Sequence, residues 1–153
     1  MMKKITLAVA ALAVTGAAFA QQALKPEDAI KYRQSGYAYM SWSMSKIKAN
    51  LEGTYDKEQV ILAANTIAAI ANSGMGALYV PGSEKNVKGV KTRVKPEFFT
   101  KQQEVGKLAL AFNQEANELA RVAATGDAAA VKAQFGKVGG TCKACHDDFR
   151  IKD

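Results

Sequence analysis

The sequence predicts an all-α protein with four long helices and one long loop. The first observation is composition, because residues 21–153 are rich in Ala, Lys, Gln and Glu, which suit helices. The second is periodicity, because apolar residues recur at steps of three and four in four separate segments. The third is that glycine and proline punctuate residues 74–96, where no helical period survives.

Residues 1–20 are predicted to be a cleaved secretion signal. Lys3 and Lys4 form a short positive region, residues 5–14 form an apolar run, and Ala18 and Ala20 form a small-x-small cleavage site. The run has about half of the ~20 residues that a transmembrane helix needs, although a retained membrane anchor is the alternative. We expect residues 21–153 to form one soluble domain outside the cytoplasm, in the periplasm.

The first helix is predicted to begin at Pro26, because proline is favoured at the first helical position. Glu27 and Asp28 follow, and their charges suit the positive end of the helix dipole. Gly53 is expected to end the helix. An inward-facing stripe runs along it at steps of three and four: Ile30, Arg33, Tyr37, Met40, Met44, Ile47 and Leu51.

The second helix is predicted to begin after Asp56, with Gln59 three residues on as in a capping box, and to end by Gly74. Its apolar face comprises Val60, Ile61, Ala64, Ile67, Ala68 and Ala71. The third helix carries another such face: Val105, Leu108, Phe112, Ala116, Leu119 and Ala123. A tight turn at residues 125–127 then leads into the fourth helix, which Asp127 is expected to cap.

The fourth helix carries the most informative stripe of the chain: Val131, Phe135, Val138, Cys142, Cys145 and Phe149. Its two cysteines and the adjacent His146 are the only cysteines and the only histidine of the 153 residues. They form a C-x-x-C-H motif, which attaches a c-type haem. On a helix these three side chains share one side, with both thiols directed at the bundle interior.

Three other interpretations of the motif are weaker. A dithiol redox motif is normally found in a βαβ setting, which the sequence does not predict. A zinc site needs a fourth ligand, and the chain has no further cysteine or histidine to supply the usual set. A structural disulfide does not require His146. Haem is therefore predicted, with His146 as the proximal iron ligand and one haem per chain.

Because His146 is the only histidine, the sixth iron position must hold methionine, a weak donor, water or nothing. Met40 and Met44 are candidates, although a methionine on a helical stripe is more often part of a core. Arg33 either binds a haem propionate or extends its head to water at the end of the bundle. Tyr37 either covers the distal haem face or is an ordinary core tyrosine. The loop of residues 74–96 either covers one haem edge or is a plain crossover connection.

The formal net charge of +7 is spread along the chain. A cationic surface favours acidic redox partners or membrane surfaces, although a simply solvated surface explains it as well. No basic stripe interleaved with aromatic residues indicates nucleic-acid binding, and no segment after residue 20 is long and apolar enough for a membrane.

With these motifs in place, the sequence resembles the cytochrome c′ family of class II c-type cytochromes. The resemblance is carried by residues 25–34 (KPEDAIKYRQ) and by residues 138–147 (VGGTCKACHD), which hold the haem motif near the C-terminus. It implies an antiparallel up-down-up-down four-helix bundle with one covalently bound haem c. It also implies a five-coordinate, high-spin iron and homodimers that pair through the first helix.

The resemblance assigns roles to three further residues. Arg150 corresponds to an arginine on the proximal side of the haem, and Arg33 to one near the propionates. The residue that covers the distal face falls at Tyr37, where several relatives have leucine.

The function expected from these observations is a periplasmic haem protein that binds the diatomic gases NO and CO and protects against NO. The alternative is a periplasmic electron-transfer cytochrome with its own redox partner and Met40 as sixth ligand. An enzyme is not expected, because oxygen or peroxide activation usually needs a distal acid–base group and there is no second histidine.

Overall fold

The computed structural model describes residues 23–152. The predicted secretion signal, residues 1–20, lies outside this part of the chain. The elements in order are α1 (Pro26–Glu52), α2 (Lys57–Ala71), a 3₁₀ turn (Met75–Leu78), α3 (Glu97–Thr100), α4 (Gln102–Thr125) and α5 (Ala128–Phe149). The predicted all-α four-helix bundle is confirmed, and its long helices are α1, α2, α4 and α5. Within residues 23–152, no helix has the length and apolar character needed to cross a membrane.

The helix ends follow from local chemistry. Asp56 accepts a hydrogen bond from the Gln59 backbone N–H at 3.1 Å, which is one half of the predicted capping box. The other half is absent, because the Gln59 side chain donates to the Asp56 carboxylate at 3.1 Å and the Asp56 N–H donates to Asn50 Oδ1 at 2.8 Å. Asp127 caps α5 by accepting from two backbone N–H groups of its first turn, at 2.9 and 3.1 Å. Gly126 ends α4 with φ of +81°, a left-handed conformation that glycine adopts without strain.

The core lies where the four long helices face each other. It contains the predicted stripes in their middle parts, with these fully or nearly fully buried members: Ile30, Met40, Ile47, Val60, Ala64, Ile67, Ala116, Leu119, Ala123, Val131 and Val138. Met44, Leu51, Phe112, Phe135 and Cys142 are partly buried against it. Tyr37 departs from its predicted stripe, because its side chain is 40% exposed.

The four helices do not pack equally against their neighbours. Contacts are extensive between α1 and α2, between α2 and α4, and between α4 and α5, but slight between α1 and α5. The bundle is therefore closed along three of its sides, and a seam runs between α1 and α5. The predicted haem motif lies on α5, on one side of this seam.

The segment between α2 and α4 contains the predicted loop of residues 74–96, which holds one short element, the 3₁₀ turn Met75–Leu78, and α3 follows it. Glycine and proline break helices without forbidding single turns. The later part of the segment pairs with the end of α5 and the residues after it: Lys95 N–H donates to Phe149 O at 2.9 Å, and Ile151 N–H donates to Arg93 O at 2.8 Å. This crossover segment therefore runs from the α1 side of the seam to its α5 side.

Candidate functional site

The side chains of the C-x-x-C-H motif lie on the last turns of α5. Cys142 and Cys145 are half-buried and are not joined in a disulfide, whereas His146 is exposed. Burial raises the pKa of both thiols, so they are protonated at neutral pH. The three groups occupy one turn, as the helical spacing predicted, and they are accessible from the seam between α1 and α5.

Two tyrosines lie near the thiols. The Tyr37 hydroxyl on α1 and the Tyr79 hydroxyl, just after the 3₁₀ turn, are 2.9 Å apart and hydrogen-bonded. Burial is the main reason why the pKa of each phenol is raised, and a charge on Cys145 would raise both further. That electrostatic influence indicates that both hydroxyls lie near the Cys145 thiol. Both phenols are therefore neutral at physiological pH.

Arg33 is fully engaged with the crossover segment. Its side chain is 3% exposed, so the alternative that it reaches water at the end of the bundle is wrong. It donates to Leu78 O at 3.1 Å, to Ser83 Oγ at 2.7 Å, to Ser83 O at 2.6 Å and to Thr92 Oγ1 at 2.9 Å. These bonds meet the needs of a buried cation, because each partner presents an oxygen. Arg33 therefore fastens the crossover segment to α1.

Arg33 also holds Tyr79. Its guanidinium lies 4.6 Å from the centroid of the Tyr79 ring, which is a cation–π distance. Phe98 of α3 also packs on Tyr79: the two rings are stacked, with their centroids 3.9 Å apart and an angle of 20° between their planes. Phe98 in turn meets Phe149 of α5 edge-to-face at 5.7 Å. A continuous chain of aromatic contacts therefore joins Arg33 on α1 to the end of α5.

Tyr79, Ser83 and Thr92 are site residues that the sequence alone does not indicate. The only sequence signal for them was the length of the segment that carries them, together with an inward-facing arginine that required partners. An inward-facing arginine implies oxygen acceptors somewhere in the chain, but its helical spacing does not indicate which loop supplies them.

A shallow cavity of about 250 Å³ adjoins His146 on the side of α5 that faces the crossover segment. It is lined by Arg93, His146, Asp147, Arg150, Ile151 and Lys152. Partial desolvation, followed by the positive charges of Arg150 and Arg93, lowers the pKa of His146. The imidazole is therefore neutral at neutral pH, which is the form that donates a nitrogen lone pair to a metal. Arg150 and Arg93 line this cavity together with His146, and the role of Arg150 on the proximal side of the haem stays a prediction.

Met40 lies inside the core cluster. It is 7% exposed and packs with the apolar residues of α1, α2, α4 and α5. Met44 is partly buried against the same cluster. Tyr37, on the same helix, lies outside this cluster, and its hydroxyl is hydrogen-bonded to Tyr79 at 2.9 Å.

The site fits a covalently attached haem. Two accessible thiols and a neutral imidazole lie on one wall of the seam, and the opposite side presents a neutral tyrosine rather than a charged group. The slight contact between α1 and α5 leaves these walls apart, as a flat group between them requires. Across residues 23–152, no group of three or more His, Cys, Asp or Glu side chains is placed to hold a metal ion by itself.

Comparison with known proteins gives one consistent family. The family model described as Cytochrome C' matches residues 28–150. A cytochrome c′ from Rhodocyclus tenuis is 64% identical over 130 residues, which cover 84% of this chain and 98% of that protein. A solved structure, described as a cytochrome c′ with an unusual ligand-controlled dimer dissociation, is 63% identical with a TM-score of 0.84, covering 84% of this chain and 98% of that one.

A more distant solved structure shows a bound gas. It is a ferrous variant of the cytochrome c′ from Alcaligenes xylosoxidans with NO bound, 29% identical, with a TM-score of 0.75, covering 84% of this chain and 98% of that one. Another variant of the same protein carries CO, at 30% identity, a TM-score of 0.74 and the same coverage. The match to the family model and the high identity to named members show that the chain belongs to the cytochrome c′ family, whose members carry one covalent haem c per chain.

Proposed function

We propose that this protein is a periplasmic haem protein whose five-coordinate, high-spin iron binds NO and CO, and that it protects the cell against NO. The single observation that carries the proposal is that the α1 side of the seam presents a neutral tyrosine to the haem motif, while the nearby methionine is packed into the core. The sixth position of the iron is then available to a small ligand from outside. Related proteins with NO and with CO bound support the choice of ligands.

The haem motif is assigned by position and chemistry. Cys142 and Cys145 would hold the haem through thioether bonds, and His146 would bind its iron from the proximal side. When bound, the haem supplies a ferrous iron that binds diatomic gases. Desolvation, together with the positive charges of Arg150 and Arg93, lowers the pKa of the imidazole, which favours the neutral form with a nitrogen lone pair available to the iron. Arg33, as a partner of a propionate, stays a prediction, since its bonds within residues 23–152 go to the crossover segment.

Tyr37 is proposed to close the distal side. A neutral phenol is a poor iron ligand compared with a phenolate. A tyrosine with an ordinary pKa of about 10 is neutral at pH 7, and burial raises the pKa of Tyr37 further. Charged ligands would lose hydration in such a place, which disfavours them relative to neutral diatomic gases. The pocket therefore selects by charge and size rather than by a strong polar contact.

The test is spectroscopic. Absorption and resonance Raman spectra of the purified ferric and ferrous protein should show high-spin, five-coordinate iron, and titration with NO or CO should produce the corresponding adducts. A protein that forms neither adduct would contradict the proposal. A strain that lacks the protein should grow less well than its parent in the presence of an NO donor, and equal growth would contradict the protective role.

Electron transfer with Met40 as sixth ligand is the alternative function. Met40 belongs to the core cluster, so binding to the iron would exchange buried apolar contacts of its sulfur for a metal bond. A methionine–iron charge-transfer band in the ferric spectrum that disappears in Met40→Leu would favour this function and exclude the open sixth position. A wild-type spectrum without that band would exclude it.

The localisation and the assembly state complete the proposal. Residues 1–20 supply the signal for export to the periplasm.

Homodimers are proposed to pair through α1, where Tyr32, Tyr39 and Trp42 are more than half exposed and share one face. Tyr39 and Trp42 rings lie 5.1 Å apart, and large exposed aromatic side chains are typical of interfaces. Sedimentation at micromolar concentration should give a dimer, whereas a monomer at every concentration would contradict pairing.

A further inference from the structure

We propose that Tyr79 is the positioning residue that holds Tyr37 across the gas-binding face, so that it sets the rate at which gas enters. This inference rests on the proposed gas binding and adds a second residue to it. Tyr79 is not on α1 or α5 but on the crossover segment, directly after the 3₁₀ turn Met75–Leu78. It acts on the ligand through Tyr37 and need not touch the ligand itself.

The argument begins with the difference between the two tyrosines. Tyr37 is 40% exposed on the side of α1, so packing holds its ring only in part. Tyr79 is held by the Arg33 guanidinium at 4.6 Å and by the stacked Phe98 ring at 3.9 Å. Its hydroxyl lies 2.9 Å from the Tyr37 hydroxyl. A closely packed tyrosine is therefore joined to a more exposed one by a single hydrogen bond.

The fixed position of Tyr79 has its own cause. Arg33 donates to Leu78 O at 3.1 Å, one residue before Tyr79, and to Ser83 O at 2.6 Å, four residues after it. The backbone on both sides of Tyr79 is thus tied to α1, the helix that also carries Tyr37. The distance between the two hydroxyls is consequently set by one buried cation rather than by the less constrained parts of the crossover segment.

Movement of Tyr37 away from the haem face must break this hydrogen bond. A gas molecule can reach the iron only when that ring has moved, since Tyr37 is the residue proposed to close the distal side. The bond therefore lowers the population of the open arrangement. A net hydrogen bond of ordinary strength changes such a population about fivefold. Loss of the Tyr79 hydroxyl should raise the rate of gas entry by about that factor.

A merely structural role for Tyr79 makes a different prediction. If its ring only fills space between Arg33 and Phe98, then Tyr79→Phe keeps both ring contacts and gas entry is unchanged. If loss of the hydroxyl loosens the whole site, gas entry changes whether or not Tyr37 has a hydroxyl of its own. Only direct action through the bond between the hydroxyls makes the effect of one tyrosine depend on the other.

The experiment is a double-mutant cycle on the haem-loaded protein. CO association rate constants are measured by flash photolysis for the wild type, Tyr79→Phe, Tyr37→Phe and the double variant. Tyr55→Phe is the control, because the Tyr55 hydroxyl has no hydrogen-bond partner among the described residues. The expected result is an increase of about fivefold for Tyr79→Phe in the wild-type background, no further increase in the Tyr37→Phe background, and no change for Tyr55→Phe. An unchanged rate for Tyr79→Phe, or an equal increase in both backgrounds, overturns the proposal.

A second measurement needs no gas. Ultraviolet resonance Raman spectra of the ferric protein report the hydrogen bonding of tyrosine hydroxyls, and Tyr79→Phe should shift the bands of Tyr37. If Tyr79→Phe leaves the bands of the remaining tyrosines unchanged, the proposal is overturned. A wild type that binds no CO refutes the proposed function instead, and the Raman comparison then still decides whether Tyr79 positions Tyr37.

Discussion

Replacement of Arg33 is the perturbation whose effect the structure defines best. Arg33→Met keeps most of the aliphatic volume and removes the guanidinium, which is 3% exposed and donates four hydrogen bonds of 2.6–3.1 Å to the crossover segment. Two of the four acceptors are backbone carbonyls. Without the guanidinium, these buried carbonyls have no donor. A buried acceptor left without a donor destabilises the folded state more than the removal of both partners would.

The expected decrease in stability follows from the loss of these four hydrogen bonds. Hydrogen bonds to charged groups contribute about 1.5–3 kcal/mol each, but bonds within one network are not additive and part of the cation's stabilisation offsets its own dehydration. A buried acceptor left without a donor costs about 1–3 kcal/mol, so the two carbonyls give an expected decrease of about 2–6 kcal/mol in the free energy of unfolding. The assay is urea unfolding of the haem-loaded protein followed by circular dichroism.

A matched control lies one residue away. Gln34 is exposed and donates a single hydrogen bond, at 2.7 Å, to Lys91 O of the same segment, so Gln34→Ala should cost no more than about 1 kcal/mol. Hydrogen exchange gives the location of the damage: the amides of residues 78–92 should exchange faster in Arg33→Met, because their tie to α1 is gone. A decrease below about 1 kcal/mol, with unchanged exchange in this segment, would refute the reasoning.

Three further predictions concern the cofactor, a helix cap and the dimer. Cys142→Ala combined with Cys145→Ala should yield little folded protein, because the seam would lack its covalent group and stability should fall by several kcal/mol; a cooperative, native-like thermal melt would contradict this. Asp127→Ala should lower the free energy of unfolding by about 1 kcal/mol, measured by urea unfolding, because two N–H groups of α5 lose their acceptor. Trp42→Glu should weaken dimerisation about tenfold or more in sedimentation experiments, and an unchanged dimer would exclude this face as the interface.

Local sequence rules were enough for the helices and for the haem motif. Asp56 and Asp127 cap the helices that they were predicted to cap, because capping depends on a few residues in sequence. Cys142 and Cys145 share the turn that their spacing requires for the same reason. The positions of these groups relative to each other are fixed within one helix, so no knowledge of tertiary structure was needed.

The distal part of the site could not be derived in this way. Arg33 was correctly placed on the inward face, but its partners come from residues 45 to 59 positions further along the chain. Tyr79 lies 42 positions from Tyr37, in a segment without periodicity. Such contacts depend on the path of an irregular backbone, which no helical pattern describes. The exposure of Tyr37 likewise depends on the slight contact between α1 and α5, a property of the assembled bundle.

The uneven packing of the four long helices also bears on how the chain folds. Every extensive interface joins helices that follow each other in the bundle, so most of the native contacts bridge short stretches of sequence. Chains of low contact order fold quickly, and loop closure between distant ends is the slow and entropically unfavourable step. In this protein that last closure, between the first and last helices, would be completed by the prosthetic group, which adds to the ties that the crossover segment makes to both helices. Attachment of the haem would then also be the final folding step.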